Sequence, residues 1–172
     1  MHTLQLVKEF HQVFDHPVAT EVNTPSAKLR LLRFRLLFEE VLEFGRAVGI
    51  AGLCEATQEE FETEVRATLA EFSVDSDAPV DLAEAADALG DIDYVCQGAN
   101  LVFGFPAEEV VREIHRANMS KLDADGRPIY DAGGKAMKGP AYRAPDIKQL
   151  LIDYQTGELQ ARQDAKIFGP RS

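Results

Sequence analysis

The sequence predicts an all-α fold, one helical bundle of about four to five main helices, on three observations. Apolar residues recur at alternating gaps of three and four over long stretches, the period of one helix face. Glycine and proline stand where those stretches end, at Pro17, Pro25, Gly49, Gly104 and Pro106. Two apolar stretches also carry acids at helix-neighbour spacing, Glu39-Glu40-Val41-Leu42-Glu43 and Glu84-Ala85-Ala86-Asp87. At 172 residues with 45% hydrophobic content, the chain is most simply one domain with enough apolar material for a real core.

Leu4, Val7, Phe10 or His11, and Phe14 give a short amphipathic first helix. It ends near Asp15-His16-Pro17, because the residue before proline avoids helical angles. Pro25-Ser26 opens a long helix to about Gly49, apolar around most of its circumference and therefore expected to be buried. Residues 55–80 form an acidic insert, with Arg66 the lone cation, read as a solvated surface helix over about Gln58 to Phe72 and then an acidic linker. Asp81 with Glu84 resembles a capping box for the next helix, which runs to the stop at Gly104. Pro106 suits the first turn of a helix reaching about Met119, with Glu108 and Glu109 near its positive end. Residues 123–146 form a basic Gly/Pro loop or hairpin, and a short helix around Asp146 to Tyr154 closes the domain, 1–154. The polar tail, 155–172, is expected to be mobile. The chain shows no internal repeat of fixed period.

A formal charge of −11 argues against a general nucleic-acid surface, which needs clustered Lys and Arg. No apolar run is long enough to span a bilayer, and Met1 to Phe14 is amphipathic, with Lys8 and Glu9 inside it, unlike a signal peptide. The expected compartment is the cytoplasm, with Cys54 and Cys96 as buried thiols.

The acids carry the chemistry. Glu40 with Glu43, and Glu84 with Asp87, each form a two-carboxylate claw on one helical face. The stripe Leu29, Leu32, Leu36 continues through Glu40 and Glu43 to Ala47 and Ile50, and Val80, Glu84, Asp87, Asp91, Val95 and Val102 repeat the pattern. Carboxylates at such inward positions must be neutral, paired or bound to metal. Facing claws would bind a hard divalent cation, and salt bridges to Arg33, Arg35 or Arg46 are the main competing explanation. A di-iron bundle is disfavoured, since no histidine follows a glutamate by three. A non-enzymatic acidic helical adaptor would explain the charge without requiring acids on core faces.

Glu39-Glu40-x-x-Glu43 followed by Glu84-x-x-Asp87 resembles the signature of the all-α nucleoside triphosphate pyrophosphohydrolases, the MazG-like group that includes dimeric dUTPases and phosphoribosyl-ATP pyrophosphatase. The likeness extends to Asn118-Met119-Ser120-Lys121, Gly134-Lys135, Lys138-Gly139-Pro140, Tyr142 and Pro145, and covers about residue 4 to about 150. The insert at 55–80 departs from it. The resemblance implies an all-α NTP pyrophosphatase fold, a homodimer, and hydrolysis between the α and β phosphates. It makes dUTP the leading substrate, with phosphoribosyl-ATP or another nucleoside triphosphate as the alternative. By analogy Glu40, Glu43, Glu84 and Asp87 hold Mg2+, with Mn2+ as its substitute, and Glu39 takes a proton from water or holds another ion. Asp91 is a further ligand, an outer partner or simply paired with an arginine. Arg116, Asn118 and Lys121 are candidates for the phosphates, Lys138 for a loop closing over substrate, and His16 and Asn23 for the base.

Overall fold

The computed structural model describes residues 3–50, 52–53, 57–75, 79–131 and 133–159. Six helices are found there: α1 Thr3–Val13, α2 Ala27–Ala47, α3 Gln58–Glu71, α4 Leu82–Phe103, α5 Ala107–Met119 and α6 Ile147–Gln155. No strand accompanies them among the described residues, and the one antiparallel bridge joins Tyr130 to Ala136. The fold is all-α, as the periodicity requires. The chain divides into two compact units, Val22–Leu82 and the remainder. The expectation of a mobile tail falls mostly on 160–172, outside the described residues, as does that for Cys54.

In the first unit, α2 begins where the Ser26 hydroxyl accepts the Leu29 amide at 3.3 Å, a cap worth about 1 kcal/mol. It ends at Gly49, whose φ of +79° is open to glycine at little cost. A complete capping box starts α3: Glu60 Oε2 accepts the Thr57 amide at 2.8 Å while Thr57 Oγ1 accepts the Glu60 amide at 3.3 Å. The two helices are pinned together at both ends of α3. Arg46 Nη1 donates to Gln58 Oε1 at 2.8 Å and its guanidinium lies 5.1 Å from the Phe61 ring centroid. Arg35 Nη2 donates to the Phe72 carbonyl at 2.7 Å, and the Phe72 ring meets Phe34 and Phe38 edge-on.

Two expectations change here. The insert helix is not merely solvated, since Phe61 and Val65 are buried, an i, i+4 pair hidden in an acid-rich composition. The long helix is not buried all round: Gly45 is its one buried residue, and Val41 is 60% exposed. One face of α2 packs on α3, and apolar content alone could not say which faces would be covered.

In the second unit α1 packs on α5, and α5 on α6. The buried face of α1 is Leu6 with Phe14 beyond the helix end, Phe10 stacking on Phe14 at 4.2 Å, while Leu4, read as part of the apolar stripe, is 80% exposed. The covered ridge therefore runs at intervals of four, shifted from the stripe read in sequence. The Tyr130 hydroxyl donates to the Phe14 carbonyl, tying the chain after α5 to the end of α1. Burial and the nearby Asp15 carboxylate push that phenol up from its ordinary value, so it stays a donor. Gly104, φ +67°, ends α4 where the sequence places its stop.

After α5 the same loop occurs twice. Asp123 Oδ1 accepts the amides of Asp125 (2.9 Å) and Arg127 (2.8 Å). Asp131 Oδ1 accepts those of Gly133 (2.9 Å) and Lys135 (2.9 Å). Each aspartate amide also bonds the carbonyl four residues on, and Gly126 and Gly134 occupy the same place at φ +77° and +90°. This short duplication escapes a search for long periods because it spans five residues only, of which Asp, Ala, Gly and a terminal cation recur, and Asp and Gly are residues that turns favour.

Candidate active site

Of the α2 acids, Glu39 and Glu43 lie toward α3, between the two arginines that pin the helices together. Glu39 is half-buried, whereas Glu40 and Glu43, read from the apolar stripe as inward-facing, are exposed. Glu39 and Glu43 line a cavity of about 170 Å³ with Phe61, Glu62, Val65 and Arg66 of α3. Arg35 and Arg46, the competing partners suggested by sequence, engage α3 as described above, and Arg46 and the glutamates Glu39 and Glu40 make further interactions.

Glu84, Asp87 and Asp91 follow one another along one face of α4, three and then four residues apart. All three are exposed, contrary to their reading as inward-facing acids. Exposure on α4 does not single out the acids, because the helix has no buried residue and its apolar members Tyr94, Leu101 and Val102 are 80%, 83% and 84% exposed. Cys96, expected to be buried, shares that exposure. The two claws belong to different units, and among the described residues no three His, Cys, Asp or Glu groups converge on a metal position. The donor set itself suits a hard cation, since it consists only of carboxylate oxygens.

The cations cluster around the end of α5. Lys121 lies just past the helix, its amide donating to the Asn118 carbonyl at 3.1 Å and its own carbonyl accepting the Gly139 amide at 3.0 Å. Ser120 Oγ accepts the Arg143 amide at 2.9 Å and donates to the Ala117 carbonyl at 2.7 Å. The residues after α5 are thus held by the returning hairpin. Gly139 is required for that approach, because a Cβ there would stand 2.0 Å from the Leu122 carbonyl oxygen. Lys138 rests its ammonium 5.0 Å from the Tyr142 ring centroid. Arg116, read from sequence as a phosphate contact, grips Glu113 through two hydrogen bonds and donates to the Ala144 carbonyl at 2.9 Å. His16 sits among Phe10, His11 and Tyr130, ring centroids 5.3 to 5.7 Å away, and Asn23 is exposed. Sequence reasoning missed Tyr130 and Glu113. The Glu113-x-x-Arg116 spacing was the available signal for the second.

The sequence profile of the phosphoribosyl-ATP pyrophosphohydrolase family matches residues 7–118, from within α1 to the last turn of α5. Both acid clusters fall inside that span. The chain belongs to this family. Its membership makes it a hydrolase of the nucleotide pyrophosphohydrolase type, and the α3 insert lies within the matched region. The chain is also similar to a crystal structure from Exiguobacterium sp. 255-15, a protein provisionally described as an NTP pyrophosphohydrolase. The identity is 26%, covering 92% of this chain and 98% of that one, with a TM-score of 0.65. No curated protein matches it. Among the described residues of this phosphoribosyl-ATP pyrophosphohydrolase family member, no helix is long and apolar enough to cross a membrane.

Proposed function

We propose that the protein is a magnesium-dependent pyrophosphohydrolase that adds water across the α–β phosphate bridge of a nucleotide, releasing a monophosphate and pyrophosphate. The observation that carries this reading is the presence of both carboxylate pairs, Glu40 with Glu43 and Glu84 with Asp87, inside the family-matched segment. These four residues would hold Mg2+, with Mn2+ a workable substitute. Bound there, the metal would lower the pKa of the attacking water and offset charge on the phosphates. Glu39, half-buried beside the claw, accepts the water's proton. Lys121, fixed in place by Gly139, and Lys138 on its hairpin supply positive charge for the phosphate chain, with Asn118 beside them as a polar donor. Asp91 supports Asp87 from one turn away.

dUTP is the leading substrate, in keeping with a role in clearing the nucleotide pool. The family match favours phosphoribosyl-ATP as the second reading. His16 and Asn23 are the candidates for reading the base. The exposed apolar residues of α4, Leu101 and Val102 above all, support a homodimer that covers them. A panel of nucleotides assayed for product identity tests the reaction and the substrate together. Absence of pyrophosphate release from every nucleotide, with magnesium or manganese, would remove the proposal, and light scattering tests the dimer.

A further inference from the structure

Between residues 55 and 80 the sequence has eight acidic residues and a single cation, Arg66. That cation stands on the wall of the cavity that faces Glu39 and Glu43, above a floor made by Phe61 and Val65, which are 4% and 7% exposed. The α3 row carrying it is held in register with α2 by the Arg46–Gln58 and Arg35–Phe72 hydrogen bonds. Arg66 pairs with Glu62 at 3.0 Å, and the two side chains are 77% and 50% exposed. Exposed pairs of this kind are weak. A phosphate offers the guanidinium shorter, charge-assisted bonds in a geometry that its planar fork matches.

The size of the cavity points the same way. At about 170 Å³ it is small beside the roughly 300–1,000 Å³ of sites that enclose a whole small molecule. It suits the phosphate end of a nucleotide. Glu39 and Glu43 would repel that end if nothing on the opposite wall offset them, and Arg66 supplies the opposing charge.

We propose that Arg66 is a substrate-binding residue, its guanidinium exchanging Glu62 for terminal phosphate oxygens of the nucleotide. This rests on the pyrophosphohydrolase reading and assigns the insert helix a place in the phosphate site. Glu62 then holds the guanidinium in position when no phosphate is present.

Calorimetry with inorganic pyrophosphate and magnesium reads the contact without turnover. Arg66→Ala is expected to weaken pyrophosphate binding by about tenfold or more and to raise KM for nucleotide more than it lowers kcat. Arg66→Lys should recover part of the loss, and Glu62→Gln should bind pyrophosphate more tightly than wild type. Magnesium alone should bind Arg66→Ala at least as well as wild type, because the cation removed faces Glu39 and Glu43. Wild-type pyrophosphate affinity in Arg66→Ala overturns the proposal. Loss of magnesium and pyrophosphate binding together, with a lowered melting temperature, overturns it too, since that outcome marks a structural role. If the wild type itself binds neither and releases no pyrophosphate, the pyrophosphohydrolase reading falls, and this contact falls with it.

Discussion

Arg116 holds Glu113 by two hydrogen bonds, Nε to Oε2 at 2.9 Å and Nη2 to Oε1 at 2.7 Å, and Glu113 Oε1 also accepts the amide of Asp146 at 2.9 Å. One carboxylate therefore joins α5 to the first turn of α6, where Asp146 in turn caps the helix by accepting the Gln149 amide. The Arg116 guanidinium, and secondarily the Asp146 amide, hold the Glu113 carboxyl below its ordinary value.

The sign of that shift sets a pH dependence. A carboxyl depressed in the folded state stabilises above its unfolded value of 4.5, and the contribution is lost as pH falls through the lower folded value. Glu113→Gln should lower stability near neutral pH by about 0.5–1 kcal/mol, a figure discounted for solvent screening. The gap to wild type should close below pH 4.5, as followed by thermal melts across the acid range. A gap that persists unchanged in acid would mean that the ionised carboxylate is not what holds the two helices.

Gly139→Ala places a methyl group 2.0 Å from the Leu122 carbonyl oxygen and 2.9 Å from that of Lys121. Backbone must move. A stability loss of about 1–3 kcal/mol is expected, together with reduced kcat/KM because Lys121 loses its fixed position. Chemical denaturation and steady-state kinetics on the same preparation check both, and an unaltered protein would remove Gly139 from the account of Lys121.

Glu43→Ala and Asp87→Ala should each cut pyrophosphate release by more than about a hundredfold, beyond the 10–100-fold typical of outer-shell changes. The circular dichroism spectrum should stay helical. Full turnover in both variants would eliminate the proposed metal site.

Carboxylates brought together repel when no cation separates them, so magnesium should raise the melting temperature of the wild type. The double variant Glu40→Ala/Glu84→Ala should not respond. Chelation should reverse the wild-type shift and stop hydrolysis, and equal shifts in the two proteins would count against these ligands.

Phosphorus magnetic resonance of dUTP hydrolysis should show monophosphate and pyrophosphate as the first products. Lys121→Ala should lower kcat/KM and leave the products unchanged, since a phosphate-clamping cation stabilises charge without choosing the bond. Orthophosphate as a primary product would mean that another bond is cut.

The helices were legible because a period of 3.6 residues and its punctuation are local. Met119 ends α5 and Gly104 follows α4 as the sequence indicates, and α3 lies within a residue of its expected bounds. The acids of the proposed site stand out in the sequence for the same reason: their spacing is set within single helices. Which face each helix covers was not legible, because it depends on partners distant in sequence. Leu6 is buried where Leu4 was expected, and Phe61 and Val65 turn inward from an acidic stretch. Long-range ties such as Tyr130 to Phe14, or Glu113 to Asp146, leave no periodic trace.

The twin aspartate loops bear on how this chain reaches its structure. Each is closed by bonds that span at most four residues, so little chain entropy is lost in forming it and neither loop waits for a distant partner. Such turns close on the time scale of hairpins, microseconds rather than seconds. They can fold the segment back early and bring Gly139 toward the end of α5 before the slower assembly of helix on helix. The same self-sufficiency makes them interchangeable parts, and a chain carrying either five-residue loop in both places should fold as readily as the natural one.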